Sequence, residues 1–259
     1  MSSEAVNEAI PKVRDIDVII LAGGLGTRLK PVIDHLPKAL APVNGRPFLD
    51  ILLGYLNRWG FIKRVVIAVG FMADKIIGEY GGTHRYNFKI QFSREDTNLL
   101  GTGGAVIKAV QQYTKTPDVI VLNGDTFAEV DLNDFVPVHL KNGSEMTIAL
   151  KEIKDCKRYG TVAVNAEGRV VSFHEKTAHS GDGLVNAGVY VFNRGIFDSA
   201  ELPEDGGAIS LEREFMPSLL AKGGYIGGYI FSGRFIDIGV PEAYNSAGDY
   251  LFDFTEQRQ

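Results

Sequence analysis

Val18-Ile19-Ile20-Leu21-Ala22-Gly23-Gly24-Leu25-Gly26-Thr27-Arg28-Leu29 joins an unbroken apolar run to a glycine-rich turn. β-branched residues without polar interruption read as a strand buried on both faces, as a parallel sheet requires. Glycines directly after such a strand let the chain bend tightly and aim several N–H groups into one concavity, which binds phosphate without side-chain charge. Two common phosphate motifs do not fit. A dinucleotide fingerprint needs a third glycine three positions after Gly26, where Leu29 stands; a Walker loop needs Gly-Lys-Ser/Thr, and Gly26 is followed by Thr27-Arg28. Arg28 closes the turn, and Lys38 lies ten residues on, flanked by Pro37 and Pro42. A guanidinium grips non-bridging oxygens in a fork, and an ammonium adds a point charge. Taken alone, these residues also suit a tight structural turn with two surface cations.

Outward from this turn, the pattern alternates. Phe48–Trp59 carries a helical apolar face, with Gly60 placed as a C-terminal cap. Val65–Val69 and Lys89–Phe92 read as strands, Ala73–Tyr80 and Ala105–Tyr113 as helices, and Val119–Leu122 as a strand ending in Asn123-Gly124-Asp125. Strand–helix alternation predicts an α/β fold, a Rossmann-like mainly parallel (mixed) sheet sandwiched by helices. Ligands of such sheets sit at the carboxyl ends of the strands, after Leu21 and Leu122. Beyond about residue 144 short strands dominate: Met146–Glu152, Gly160–Val164, Arg169–Phe173 across an Asn165–Gly168 turn, Leu184–Phe192 and Tyr225–Ile230. Helices are expected at Ile209–Leu220 and Pro241–Phe252. This half completes the sheet and adds a small antiparallel subregion that walls a pocket. The organisation expected is a tail over 1–15 and one domain over 16–255, with halves of about 16–143 and 144–255. No internal repeat is present.

Composition narrows the classes. With 259 residues, 45% of them hydrophobic and 23% charged, the chain is an ordinary globular one. A net charge of −5 argues against a nucleic-acid partner, which would want a basic face. Cys156 is the single cysteine, which excludes an intramolecular disulfide and cysteine metal cages and fits a reduced compartment. No signal-peptide pattern or span-length apolar run occurs, so the expectation is a soluble, cytoplasmic protein without a membrane partner.

Asp125 ends a buried strand, and Phe235-Ile236-Asp237-Ile238-Gly239 sets Asp237 in similarly apolar surroundings. A carboxylate there needs a partner, because burying it unpaired is expensive. Two such groups near a triphosphate suit Mg²⁺, which takes a few carboxylates together with phosphate oxygens and water. Turn or helix caps are the plainer reading of either aspartate alone. The five histidines show no metal-ligand spacing.

Gly23–Val43, GGLGTRLKPVIDHLPKALAPV, resembles the signature of the sugar-nucleotide pyrophosphorylases, nucleotidyltransferases that make NDP-sugars. Ile33 departs from it, since many relatives carry threonine there. The resemblance extends over about residues 17 to 252 and implies a GT-A-like fold. It implies that Leu21, Ala22, Gly23, Gly24, Gly26, Thr27 and Arg28 bind the nucleotide, with Asn123 and Gly124 beside them. Arg28, Lys38 and Asp125 would be catalytic, Asp125 and Asp237 would hold Mg²⁺, and Gly101, Thr102 and Gly103 would lie beside the nucleobase. Asn98-Leu99 stands where many relatives have Glu-Pro, which leaves base selection open. On the sugar-phosphate side the resemblance points to Tyr159, Gly160, Glu175, Lys176, Asn186 and Gly188. Val121–Phe127, Arg158–Val162 and Phe235–Tyr244 look most like guanylyltransferases acting on D-glycero-α-D-manno-heptose 1-phosphate. The partners implied are an NTP (GTP) and a sugar 1-phosphate, with a homo-oligomer as a further expectation. Mannose-1-phosphate guanylyl transfer, glucose-1-phosphate thymidylyl or uridylyl transfer, and a silent nucleotide-sugar-binding protein are the alternatives. The silent protein is disfavoured because all four of Arg28, Lys38, Asp125 and Asp237 are present.

Overall fold

Period-2 alternation builds the centre of the molecule. Val18 and Ile20 of the first strand pack into one core cluster and Ile19 into the other. Val65 and Ile67 divide from Val66 and Ala68 in the same way, as do Ile120 and Leu122 from Val119 and Val121. A sheet covered on both faces requires this division. The computed structural model describes residues 13–29, 31–95, 98–157, 159–174, 181–203 and 206–256. Residues 1–12 of the expected 1–15 tail, and Glu175 and Lys176, lie outside the described residues.

The elements of the first half are β1 (Ile16–Leu21), β2 (Pro42–Val43), β3 (Arg46–Pro47), α1 (Phe48–Leu56), β4 (Ile62–Val69), α2 (Ala73–Tyr80), β5 (Lys89–Arg94), α3 (Gly101–Tyr113), β6 (Asp118–Asn123), β7 (Thr126–Ala128) and α4 (Leu132–Asn142). The second half has β8 (Met146–Ile153), β9 (Thr161–Val164), β10 (Val170–His174), β11 (Gly183–Asn193), α5 (Met216–Ala221), β12 (Ile226–Phe231), β13 (Phe235–Asp237), α6 (Pro241–Tyr250) and α7 (Phe252–Thr255). Within the main sheet β5, β4, β1 and β6 run parallel; β11 then pairs antiparallel with β6 and with β8, and β12 is parallel to β8. The fold is therefore the mixed, mostly parallel α/β sheet expected. Among the described residues no helix is long and apolar enough to cross a membrane.

Two features of this topology make the crevice. The chain leaves β1 toward β4 on one side and returns to β6 on the other, so the switch point lies where Leu21 pairs with Asn123. Because β11 opposes β6, its first residues overhang the end of β6: Val189 pairs with Leu122, while Val185 reaches Thr161 of β9. The antiparallel β9–β10 hairpin hangs there, beyond the carboxyl end of β6.

Some boundaries differ from expectation. Helix α1 stops at Leu56, and Asn57 rather than Gly60 caps it, its N–H donating to Leu53 and Tyr55. Trp59 still packs edge-on against Tyr55, with ring centroids 4.7 Å apart. Helix α3 begins at Gly101 instead of Ala105, because the 209–211 segment is bonded across its first turn. The expected 209–220 helix starts as a π turn, Leu211–Phe215, before α5. Helix α6 ends at Tyr250, and a separate short α7 follows. Helix α4 had no counterpart in the sequence reading, although Asp131 caps it through Asn133 N and Gly143 ends it at φ +57°.

Candidate functional site

The residue pattern of β1 delivers the glycine turn to the switch point, and backbone bonds fix it there. Ala22 N donates to Ala68 O at 2.8 Å, and Gly124 N to Leu21 O at 2.9 Å. A side chain at Gly124 would bring its Cβ to 2.6 Å from Leu21 O, so the two strand ends can approach this closely only through glycine. Gly26 takes φ +59°, the left-handed bend that points the following residues back over the strand ends.

The turn lines a pocket of about 310 Å³, together with Arg28, Lys38, Glu95, Leu99, Gly101, Thr102, Asn123, Gly124 and Asp125. Leu21, Ala22, Gly23, Gly24, Gly26 and Thr27 all face it. Gly103 does not line it. Its N–H donates to Ile209 O at 2.8 Å, and a Cβ there would lie 2.9 Å from Ile209 Cγ2. A second pocket, of about 460 Å³, takes Tyr159, Gly160, Asn186 and Gly188, with His174, Tyr190, Glu212 and Arg213. Arg28, Asn123 and Asp125 line both pockets, so the two spaces meet at these side chains.

Asp125 and Asp237, 112 residues apart, are joined by a small ladder in which β13 pairs with β7 and Asp237 lies opposite Thr126. Ile238 N donates to Asp125 O at 3.0 Å, and Gly239 N to Asp237 Oδ1 at 2.6 Å. Lys38 Nζ sits between the carboxylates, 2.5 Å from Asp125 Oδ2 and 3.8 Å from Asp237 Oδ1. Burial pushes the Asp237 carboxyl above its ordinary value, and the neighbouring Asp125 charge pushes it further; Lys38, the Gly239 N–H and Arg28 act the other way. Two crowded carboxylates with a cation between them are electrostatically suited to positive charge.

Several lining residues had no local signal in the sequence. Glu95, one residue past β5, accepts from Leu100 N at 3.0 Å, and burial raises its carboxyl above the ordinary value. Glu212, His174 and Arg213 come from segments that only the tertiary fold brings to the second pocket. Asn186, expected to offer its amide to a ligand, already donates to Tyr190 Oη at 2.9 Å and accepts from Gly188 N at 2.9 Å. Chemically, the first pocket suits an extended polyanion, the second a polar small molecule, and Arg28 stands between them.

Comparison with known proteins shows the family to which the chain belongs. The family described as Nucleotidyl transferase matches residues 17–253. The D-glycero-alpha-D-manno-heptose 1-phosphate guanylyltransferase of Aneurinibacillus thermoaerophilus is 40% identical over 90% of this chain and 96% of that protein. The enzyme of the same name from Campylobacter jejuni is 41% identical over 88% of this chain and 97% of its own length. HddC from Yersinia pseudotuberculosis, in a crystal structure complexed with GMP-PN, superposes with a TM-score of 0.78 at 35% identity, covering 90% of this chain and 98% of that one.

Proposed function

Since the chain belongs to the nucleotidyl transferase family, we propose that it transfers a guanylyl group from GTP to D-glycero-α-D-manno-heptose 1-phosphate, releasing pyrophosphate. The observation that carries this reading is the junction of two pockets at Arg28, Asn123 and Asp125. A donor nucleotide in one and a sugar phosphate in the other would meet there without a carrier. The two heptose 1-phosphate guanylyltransferases named above, matched over nearly their whole length, support the substrate pair.

Base choice follows from Glu95. Guanine presents two adjacent donors, N1–H and the 2-amino group, on its pairing edge, and a carboxylate is an acceptor at both oxygens. Adenine, cytosine, uracil and thymine each place an acceptor beside their donor, which a carboxylate repels. Leu99, Gly101 and Thr102 share the pocket with Glu95 and give the base a flat berth.

At the phosphate end, the turn amides and Arg28 hold the triphosphate, and the attacking oxygen is the sugar phosphate's own, already ionised at neutral pH. Arg28 borders both pockets and so stabilises charge on the α-phosphate as the pyrophosphate leaves. The paired Asp125 and Asp237, where burial and then the Asp125 charge push the Asp237 carboxyl above its ordinary value, fit Mg²⁺. When bound to them, Mg²⁺ supplies Lewis-acid neutralisation of phosphate oxygens. Lys38 is placed to turn from Asp125 to the phosphates. Tyr159, Gly160, Asn186 and Gly188 shape the sugar side, and Glu175 and Lys176 join them in the proposal on the strength of the family pattern.

The test is pyrophosphate release with Mg²⁺, offering GTP, ATP, UTP, CTP and dTTP against heptose, mannose and glucose 1-phosphates. The proposal expects GTP with the heptose phosphate to be the best pair. A different best pair would replace the substrates, and no release from folded protein that binds GTP would replace the reaction with a binding role.

A further inference from the structure

Glu212 lines the second pocket and bonds to Thr102 of the first, without belonging to any motif at the glycine turn. It lies in the π turn Leu211–Phe215, whose first residue is buried and whose cap is Ser210, accepting from Arg213 N. Single π turns inside helical segments recur at functional sites, because they let one side chain project where an α turn would not. The Glu212 carboxylate takes donors from both sides. Thr102 Oγ1 donates to Oε2 at 2.9 Å, Ser210 Oγ to Oε2 at 3.4 Å, and Tyr190 Oη lies 3.5 Å from Oε1.

Thr102 and Tyr190 lead into different pockets. Thr102 lines the nucleotide pocket, and its hydroxyl also accepts from Leu211 N at 2.8 Å. Ile209 N donates to Leu100 O, and Gly103 N to Ile209 O, both at 2.8 Å, so the 209–212 segment and the start of α3 form one bonded unit. In the other direction, fully buried Tyr190 receives Asn186 Nδ2, and Asn186 receives Gly188 N. Gly188, at φ +69°, packs directly against the Asn123 amide; a Cβ there would sit 2.7 Å from Asn123 Nδ2. Asn123 lines both pockets, and its buried Oδ1 has no protein hydrogen-bond partner among the described residues. A buried acceptor left open next to a ligand space is completed by a donor on the ligand.

We propose that Glu212 is a positioning residue that couples the two pockets: its carboxylate ties Thr102 beside the nucleotide to the Tyr190–Asn186–Gly188 chain that sets Asn123, so that filling one pocket tightens the other. This rests on the reading that the first pocket takes the nucleotide and the second the sugar phosphate. A ligand that orders one end of a bonded chain relieves the second ligand of part of that ordering, which is positive coupling.

The experiment is calorimetric titration of the full-length protein with D-glycero-α-D-manno-heptose 1-phosphate, with and without saturating α,β-methylene-GTP and Mg²⁺. The wild type is expected to bind the sugar phosphate about 5- to 150-fold more tightly when the nucleotide analogue is present. In Glu212→Ala the ratio should fall toward one, with each ligand alone still binding, and Glu212→Gln should retain part of it. Thr102→Val and Tyr190→Phe cut the same chain from its two sides, and each should lower the ratio without adding to Glu212→Ala. They also read the coupling if Glu212→Ala does not fold. An unchanged ratio in these variants, or a wild-type ratio of one, would overturn the coupling while leaving the function intact. Failure of the nucleotide analogue to bind, or of the sugar phosphate to bind even in its presence, would overturn both.

Discussion

Replacing Glu95 by glutamine separates recognition of the base from the chemistry of transfer. The proposed contact pairs both carboxylate oxygens with N1–H and the 2-amino group of guanine. Glutamine keeps one acceptor and turns a second donor toward a donor of the base. Losing one hydrogen bond to a charged group costs about 1.5–3 kcal/mol, which is roughly a 10- to 150-fold drop in kcat/KM for GTP. ATP and UTP, whose edges carry one donor beside one acceptor, should lose nothing or gain. The same substitution has an opposite effect on stability. Burial holds the Glu95 carboxyl above its ordinary value. Such a group favours the fold while protonated, below its unfolded pKa, and that advantage disappears as pH rises through the higher folded value. At neutral pH the neutral isostere is therefore favoured, so Glu95→Gln should melt higher than the wild type at pH 7 and equal it in acid. Thermal melts at both pH values and kcat/KM for three nucleotides provide the assay. A GTP value within twofold of wild type, or an equal loss for every nucleotide, would refute the assignment of Glu95 to the base.

Arg28→Ala should lower turnover at least about 100-fold, as removal of one transition-state donor does elsewhere, with an unchanged circular dichroism spectrum. Excess chelator should abolish pyrophosphate release and added Mg²⁺ restore it; release persisting in chelator would remove the role given to Asp125 and Asp237. Gly103→Ala should destabilise the protein by about 1–3 kcal/mol in denaturant melts, because the new methyl meets Ile209 at 2.9 Å. Gly24→Ala, with nothing within 4 Å of its Cβ position, should leave the melt unchanged.

What the sequence made legible was local. The apolar run into Gly23–Arg28 and the Asn123-Gly124-Asp125 strand end each carry their meaning in a few adjacent residues, and β1 and β6 bring them into register. Asp237 was legible as a carboxylate in apolar surroundings, although its closeness to Asp125 depends on a ladder between β7 and β13 that no periodicity announces. Helix α4 was hidden by Pro137 inside it, which normally ends a helix. Gly101-Thr102-Gly103 read as loop because glycine disfavours helices. In the fold, those glycines admit the 209–211 segment across the first turn of α3: a Cβ on Gly101 would lie 2.5 Å from Ile209 O. Glu95 sits against Gly23 and Gly70 at the ends of other strands, and Glu212 bonds to Thr102, 110 residues earlier, so their spacing in sequence carries no pattern.

The central claim is that two substrates meet directly at Arg28, Asn123 and Asp125, the sugar-phosphate oxygen displacing pyrophosphate in one step. The stereochemical course at the α-phosphorus tests it most directly, using a GTP analogue with sulfur at one defined non-bridging α-position and determining the configuration of the nucleotide sugar formed. A single in-line displacement between the joined pockets inverts the configuration, and inversion is the result expected. Retention would require two displacements through a covalent nucleotidyl-enzyme and would contradict the account.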